Sequence, residues 1–88
     1  MREAYGVAAF RSRQQVLRFE GVLRRYGIPA SVISTPRSIS MGCGLSIRFP
    51  LERASEVRRA LREVNTSNLI GLYRCDYDGA RLRVTALR

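Results

Sequence analysis

The stretch that decides the fold is AYGVAAFRSRQQVLRFEGVLRRYGIPASVIS, residues 4–34, because it contains the patterns of a strand, a helix and a second strand in succession. Residues 4–10 are small or apolar, as is typical of a short strand that is buried on both faces. Residues 12–26 repeat apolar side chains at spacings of three and four, which is the period of an amphipathic helix. Residues 30–34 return to a short apolar run, which predicts the second strand.

Residues with capping roles mark the two ends of this helix. Ser12 and Gln15 match an S-x-x-Q capping box, in which the serine hydroxyl caps the free amides while the glutamine reaches back. Gly27 supplies the left-handed residue that ends the helix, and Pro29 prevents its continuation. The apolar stripe between these ends consists of Val16, Phe19, Leu23 and Tyr26.

The second half of the chain predicts a strand, a helix and a hairpin. Residues 45–49 alternate apolar and polar side chains, which indicates a half-buried strand, and Pro50 closes it and fits the start of a helix. Residues 68–76 predict a fourth strand. The Asp-Gly pair at 78–79 is a strong hairpin signal, so we expect residues 80–87 to fold back as a fifth strand. The apolar stripe of the second helix consists of Ala54, Val57, Leu61 and Val64.

The order of these elements predicts a single α+β domain over residues 1–88. The succession β-α-β-β-α-β fits a ferredoxin-like sandwich, in which an antiparallel sheet carries two helices on one face. Two right-handed crossovers produce that arrangement, and they place strands one and three side by side at the centre of the sheet. The C-terminal hairpin adds one further strand to this core.

Charge limits the classes of partner that the protein can have. The 88 residues carry sixteen basic and seven acidic side chains, a net charge of +9, and every basic residue is Arg. Such an excess fits an electrostatic partner such as RNA or an acidic protein. The arginines are scattered along the chain, however, which favours a coding bias that replaces Lys with Arg on ordinary solvated faces.

The cysteine and histidine counts exclude several kinds of site. The chain has two cysteines, Cys43 and Cys75, and no histidine, so it offers neither a zinc site nor a Ser-His or Cys-His nucleophile pair. Two cysteines are too few for a disulfide scaffold, and we expect thiols in a reducing cytosol. No stretch is long and apolar enough to span a membrane, and the N-terminus lacks the pattern of a signal peptide. We therefore predict a cytoplasmic protein without a metal or a cofactor.

Cys43 is the candidate reactive residue, because it stands between Gly42 and Gly44 in the loop that leads into the third strand. The two glycines remove bulk around the sulfur and let backbone amides turn toward an anion. The thiolate is the reactive form of cysteine, and nearby cations lower its pKa. Arg37 in the same loop and Arg48 on the next strand are the candidate cations. The alternative is a small apolar residue at the strand edge, with the glycines needed only for the turn.

Cys75 ends the predicted fourth strand and shares its face with Tyr73 and Gly71. We expect the end of strand four and the start of strand three to lie at the same end of the sheet, with strand one between them. Their backbones are then roughly 10 Å apart, beyond disulfide reach unless the glycine loop curls over. We therefore interpret Cys75 as a packing residue, with a resolving thiol as the alternative.

Three segments of the chain resemble one family of small bacterial proteins, the selenium/sulfur (Se/S) carrier protein-like family. They are the helix end RYGIPA, the loop and strand STPRSISMGCGLSIRF, and the closing GLYR, and the resemblance covers about residues 5–74. Its most specific part is a Pro-Arg, spacer, Cys-Gly-Leu, Arg-Phe run. That run is met by Pro36, Arg37, Cys43, Gly44, Leu45, Arg48 and Phe49.

The resemblance implies that Cys43 accepts a sulfur or selenium atom from a donor such as a cysteine desulfurase. Cys43 then holds the atom as a persulfide or selenosulfide and hands it to an acceptor protein, so the protein is a relay and not a turnover enzyme. The segment from about residue 75 to 88 departs from the family pattern, and it either covers an open sheet edge or mediates homodimer formation. The residues expected to support the thiol loop are Pro36, Arg37, Gly42, Gly44 and Arg48.

Two other functions are compatible with the sequence. The first is RNA binding, since the same fold hosts RNA-recognition domains that stack bases on aromatic residues of the central strands. Against it, Phe49 shares its parity with Leu45 and Ile47 and is expected to face the helices, whereas Ser46 and Arg48 on the open face offer no platform. The second is a ligand-sensing or oligomer-forming regulatory domain that uses the open sheet face.

Overall fold

The computed structural model describes residues 2–40 and 44–87. Within them the chain forms a five-stranded antiparallel sheet and two α-helices, with the strand order β2-β3-β1-β4-β5. The predicted α+β class and the order of strands and helices along the chain are confirmed. The elements are β1 (Glu3–Phe10), α1 (Arg13–Arg25), β2 (Ser31–Ser34), β3 (Leu45–Phe49), α2 (Ala54–Ala60), β4 (Leu69–Tyr77) and β5 (Leu82–Ala86).

The central strand β1 is antiparallel to both of its neighbours, β3 and β4. The prediction that strands one and three lie side by side is confirmed, for example by the pairing of Ala8 with Ile47. β2 lies on the far side of β3, and β5 extends the other edge beyond β4. Because β3 and β4 both run opposite to β1, they are parallel to each other, and their first residues lie at the same end of the sheet.

Both helices pack on one face of the sheet. Alternate residues of the central strands point to this face and join the apolar residues of both helices in one buried cluster. Phe49 belongs to this cluster, so the prediction that it faces the helices is confirmed. The strand residues of the cluster are Ala8, Phe10, Ile47, Phe49 and Leu72, and its helix residues include Val16, Phe19, Leu23, Val57 and Ala60.

α1 begins and ends where the sequence predicts, with one difference in its cap. The Ser12 hydroxyl accepts a hydrogen bond from the N–H of Gln15 at 3.4 Å. The second hydrogen bond of the capping box, from the N–H of Ser12 to the side chain of Gln15, is not formed. The side-chain oxygen of Gln15 is buried and has no hydrogen-bond partner in the described part of the chain. At the other end Gly27 has a φ of 71°, and the N–H of Ile28 donates to the carbonyl of Leu23 at 2.9 Å. These contacts form a Schellman motif.

The second helix is shorter than its apolar stripe suggests. Ala54–Ala60 form the α-helix proper, and 3₁₀ turns at Leu51–Arg53 and Leu61–Glu63 flank it. Pro50 precedes the first turn with a φ of −65°, the value that its ring imposes. The whole segment still places apolar side chains on the sheet, because Val57 is fully buried.

The C-terminal hairpin forms as predicted, although β5 is shorter at both ends than expected. The Asp78 carboxylate accepts hydrogen bonds from the N–H groups of Ala80 at 2.9 Å and Arg81 at 2.8 Å. Gly79 has a φ of 98°, a conformation that a β-carbon disfavours. Most of β5 is exposed, since it is an edge strand whose neighbour is β4.

Candidate functional site

The loop that carries Cys43 leaves the sheet at Thr35 and returns at Gly44. The N–H of Thr35 donates to the carbonyl of Gly44 at 3.0 Å, which closes the base of the loop. Beneath this bond the hydroxyls of Thr35 and Ser46 are buried and hydrogen-bonded at 2.7 Å. A β-carbon built on Gly44 would lie 3.2 Å from Oγ1 of Thr35 and 3.9 Å from the carbonyl oxygen of Phe10. The two ends of the loop are therefore held together and packed on the sheet.

The first half of this loop forms a turn. The carbonyl of Pro36 accepts a hydrogen bond from the N–H of Ile39 at 3.0 Å. Arg37 lies in this turn and is exposed. Two of the predicted site residues, Gly42 and Cys43, lie outside the described residues.

Gly44 lies at the end of the sheet where α1 begins. The register pairs Ser46 with Ala9 and Leu69 with Phe10. The start of β3, the end of β1 and the start of β4 therefore meet there, and α1 follows β1 after two residues. The N-terminus of a helix carries a partial positive charge, which favours anions and lowers the pKa of a nearby thiol.

Arg48, the second predicted cation, lies away from the base of the loop. It is four residues beyond Gly44, roughly 13 Å along an extended strand. Its guanidinium forms a salt bridge with the carboxylate of Glu3 and lies 3.9 Å from the ring centroid of Tyr5. The structure thus does not bring Arg48 to the loop base, whereas Arg37 belongs to the loop itself.

The predicted placement of Cys75 beside the start of strand three is wrong. Cys75 pairs with Tyr5 near the start of β1, whereas Gly44 lies beside Phe10 at the end of β1. The prediction failed because β3 and β4 are parallel to each other, so the end of β4 lies at the same end of the sheet as the end of β3, with β1 between them. Cys75 is fully buried, and burial, followed by the charge of Asp76, raises the pKa of its thiol. Such a protonated, enclosed thiol is typical of a structural cysteine.

The second face of the sheet carries tyrosines that the sequence analysis missed. Tyr5 on β1 and Tyr73 and Tyr77 on β4 share this face. The ring of Tyr5 lies under the guanidinium of Arg48, and the ring of Tyr73 lies over Gly71. The period-two pattern of strand four contains the signal for this aromatic face, since Tyr73 and Tyr77 have the same parity.

The fold and the loop together define a small α+β protein whose candidate site is a cysteine loop at one end of its sheet. The chain belongs to the family described as "Putative Se/S carrier protein-like", whose model matches residues 5–70. The resemblance predicted from the sequence is thereby confirmed. The match includes Cys43 and the Pro-Arg, Cys-Gly-Leu, Arg-Phe run, and it ends before Cys75.

Searches of curated proteins and of solved structures found no match to the chain. Across residues 2–40 and 44–87, neither helix has the length and hydropathy needed to cross a membrane.

Proposed function

We propose that the protein carries sulfur or selenium on Cys43, as a persulfide or a selenosulfide. The observation that carries this proposal is the family match over residues 5–70, which includes Cys43. Cys75 lies outside the match and is buried, so we assign it to packing and not to a resolving step. The protein is then a carrier between two protein partners, a donor such as a cysteine desulfurase and an acceptor, and not a turnover enzyme.

Loading of Cys43 requires a thiolate and a donor persulfide, and nothing else. The Cys43 thiolate attacks the terminal sulfur of the donor persulfide, the donor S–S bond breaks, and the donor leaves as a thiolate. One S–S bond forms for each one that breaks, so the exchange needs no external oxidant or reductant. Delivery is the same exchange, in which the acceptor nucleophile attacks the terminal sulfur and Cys43 leaves as the thiolate. A terminal selenium atom follows the same path.

Three features of the described residues support a thiolate next to Gly44. The hydrogen bond between Thr35 and Gly44 anchors the chain directly after Cys43. The N-terminus of α1 opens at the same end of the sheet and favours negative charge. Arg37 adds a guanidinium within the same loop, and nearby cations lower the pKa of a thiol.

The proposal also covers the fold type and the compartment. The order β2-β3-β1-β4 supports a ferredoxin-like sandwich, to which β5 adds an edge strand. We assign residues 1–88 to a single domain, with a family-like core and a C-terminal extension from about residue 75. A reducing cytoplasm keeps the Cys43 thiol free between transfers.

Intact-protein mass spectrometry after incubation with a cysteine desulfurase and cysteine tests the proposal. The wild type is expected to gain the mass of one sulfur atom, and a thiol reductant should remove it. Cys43→Ala should abolish the gain, whereas Cys75→Ala, the matched control, should retain it. A gain that survives Cys43→Ala would contradict the proposal, as would no gain combined with slow alkylation of Cys43 at neutral pH.

A further inference from the structure

The segments that meet at the Gly44 end of the sheet contain no acidic residue. They are the end of β1, the start of α1, the loop that carries Cys43 and the start of β4. The sequence has no Asp or Glu in residues 4–19, 21–51 or 64–75. A partner that approaches the Cys43 loop therefore meets no side-chain carboxylate on the segments around it.

Three arginines lie on these same segments. Arg11 directly follows β1, Arg13 is the first residue of α1, and Arg37 lies in the turn of the loop. All three are exposed, and the salt bridges formed among the described residues involve none of them. Their positive charge is therefore available to a partner.

Arg11 is anchored next to the residue that follows Cys43 in the sequence. A β-carbon built on Gly44 would lie 3.9 Å from the carbonyl oxygen of Phe10, and the peptide bond of that carbonyl continues into the nitrogen of Arg11. The N–H of Arg11 donates to the carbonyl of Asn68 at 2.7 Å. The backbone of Arg11 is thus fixed between β1 and β4, beside the base of the loop.

The other two arginines follow within a short length of chain. Arg37 comes two residues after Thr35, whose N–H donates to the carbonyl of Gly44. Arg13 comes two residues after Arg11. Two residues span at most about 7 Å of extended chain, so all three guanidinium groups originate close to the base of the loop.

An exposed apolar side chain adjoins these arginines. Leu17 is 52% exposed, and it lies four residues after Arg13 on the same face of α1. Tyr26, nine residues after Leu17 and thus on the opposite side of the helix, hydrogen-bonds Glu63 of the second helical segment. The face with Arg13 and Leu17 therefore points away from that segment, toward β2, which α1 also contacts. The loop leaves the sheet from the end of this strand.

This combination of residues fits a protein partner better than a nucleic acid. Single strands bind basic surfaces by stacking their bases on exposed aromatic rings. The two most exposed rings of the described residues lie elsewhere, since Tyr26 is on the opposite side of α1 and Tyr77 pairs with Glu3 at the start of β1. Protein interfaces instead combine an apolar centre with arginine, which is the composition around Leu17.

We propose that the exposed residues at this end of the sheet dock the protein that donates sulfur or selenium to Cys43. This loop-end surface consists of Arg11, Arg13, Leu17 and Arg37. The donor binds through carboxylates that contact the arginines and through an apolar side chain that covers Leu17. The inference rests on the proposed function, which makes the donor a protein whose persulfide must reach Cys43. Attraction between opposite charges speeds the encounter and orients the two proteins.

Initial rates of sulfur transfer from a cysteine desulfurase, followed by intact-protein mass spectrometry, test this surface. The charge variant is Arg11→Gln, Arg13→Gln. The matched control is Arg81→Gln, Arg83→Gln, because these arginines are also exposed, form no salt bridge among the described residues, and lie in the hairpin at the opposite end of the sheet. Both variants lose two positive charges, so a difference between them reports the location of the docking surface.

We expect the charge variant to load at least about fivefold more slowly than the wild type near 0.05 M salt and the control to stay within about twofold. The deficit of the charge variant should shrink to about twofold or less near 0.5 M salt, because salt screens the attraction. Equal loading rates in the two variants would overturn the proposal.

Alkylation by iodoacetamide separates docking from the reactivity of the thiol, since this small neutral reagent reaches Cys43 without docking. Nearby cations lower the pKa of a thiol, so removal of Arg11 is also expected to slow alkylation. Docking requires that loading by the desulfurase fall at least about threefold further than alkylation at the same pH. A fall by the same factor in both reactions would show that the arginines act on the thiol alone, and it would overturn the proposal.

Leu17→Ala tests the apolar part of the surface. Alanine is favoured in helices, so the variant should remain folded. We expect it to load about threefold or more slowly at both salt concentrations, because salt does not screen apolar contacts. Leu82→Ala, which shortens a similarly exposed side chain in the hairpin, is the control and should load as the wild type does. Loading of Leu17→Ala at the wild-type rate would overturn the proposal, since a partner held by charge alone would then account for the arginines.

The same measurements distinguish failure of this surface from failure of the carrier function. If the wild type gains sulfur, Cys43→Ala does not, and both arginine variants load equally, the carrier function stands and the loop-end surface is wrong. If the wild type gains no sulfur from the desulfurase or from a small organic persulfide, the carrier function fails and the surface fails with it. Circular dichroism of each variant checks that it is folded.

Discussion

Gly6 on β1 and Phe49 on β3 pack closely against each other. The ring of Phe49 lies over Gly6, and a β-carbon at this position would overlap the ring. Phe49 is fully buried, so its ring has no space into which it can turn. Gly6→Ala is therefore expected to lower the free energy of unfolding by about 1–3 kcal/mol, the usual cost of overpacking a buried site. Chemical denaturation followed by circular dichroism measures this loss.

Gly21→Ala is the matched control for this substitution. Gly21 lies inside α1, and no atom outside its own helix lies within 4 Å of a β-carbon built there. Alanine is favoured over glycine in a helix by about 1 kcal/mol, so this variant should be as stable as the wild type or more stable. Equal destabilisation of both variants would contradict the packing of Phe49 on Gly6.

Cys75 gives the stability of the protein a dependence on pH. Burial, followed by the charge of Asp76, raises the pKa of its thiol in the folded state. The folded protein then keeps the proton at pH values where the unfolded chain has lost it. This stabilising contribution is fully present below the thiol pKa of the unfolded chain, about 8.5, and is lost as the pH rises through the folded pKa.

The comparison of wild type with Cys75→Ala isolates this effect, because Cys43 titrates in both proteins. Urea denaturation at pH values from about 7.5 to about 9.5 should show the stability advantage of the wild type falling as the pH rises. The pKa of Tyr5 is also raised, chiefly by burial, so Tyr5 titrates above this range. An advantage that stays constant over the range would show that Cys75 is as accessible to ionisation in the folded state as in the unfolded one.

At the scale of the secondary-structure elements, sequence reasoning succeeds where the determining contacts are local. The alternation of Leu45–Phe49 predicted β3 with the bounds that the structure has. The caps of α1 were also predictable, since Ser12 and Gly27 act within one helical turn. The second helix was less predictable, because apolar spacings of three and four occur in both α-helical and 3₁₀ turns. Spacing alone likewise does not identify the partner of Glu56. The partner is Arg53, whose guanidinium donates two hydrogen bonds of 2.7 Å to the Glu56 carboxylate.

The candidate loop shows the same limit. Its glycines and Cys43 were evident in the sequence, whereas the buried hydroxyl bond next to its base joins Thr35, directly after β2, to Ser46 on β3. Neither hydroxyl belongs to a motif, and their contact depends on the pairing of β2 with β3. Long-range pairs of this kind carry no periodic signal.

The Thr35–Ser46 pair also gives a prediction for the joint between β2 and β3. Both residues are buried, so Thr35→Val leaves the hydroxyl of Ser46 without its partner in a dry environment. The expected loss in the free energy of unfolding is about 1–3 kcal/mol. The double variant Thr35→Val, Ser46→Ala removes both hydroxyls and should lose less than the sum of the two single variants. Additive losses in this double-mutant cycle would show that the hydroxyls do not depend on each other.

At the scale of the whole molecule, two features were not predictable from the sequence. They are the relative directions of the strands and the proximity of the N-terminal segment to the C-terminal hairpin. The order of the elements was correct, but the direction of strand four relative to strand three was misjudged, and this misplaced Cys75. The arginines are scattered in the sequence, yet β1 and the hairpin bring Arg2 together with Arg81 and Arg83. A count of charges along the chain does not contain this clustering, because it arises from pairing between residues at opposite ends of the chain.

The distance between the Cys43 loop and the arginines Arg2, Arg81 and Arg83 at the hairpin leads to a prediction for the entire protein. Gly44 lies beside Phe10 at the end of β1, whereas the hairpin meets β1 at its start, where Tyr77 pairs with Glu3. Seven residues of extended strand separate these positions by about 20 Å, which is about two Debye lengths at 0.1 M salt. Removal of charge at the hairpin should therefore leave the electrostatic environment of the Cys43 loop unchanged.

The variant with Gln at positions 2, 81 and 83 is accordingly expected to gain sulfur from a cysteine desulfurase at a rate within about twofold of the wild type at 0.1 M salt. Arg37→Gln is the comparison, since it removes one charge from the loop itself and should slow the alkylation of Cys43 at neutral pH by raising the pKa of the thiol. Alkylation rates measured over a range of pH values separate a change in pKa from a change in access. Slower loading of the hairpin variant with an unchanged alkylation profile would mean that the donor docks on the hairpin.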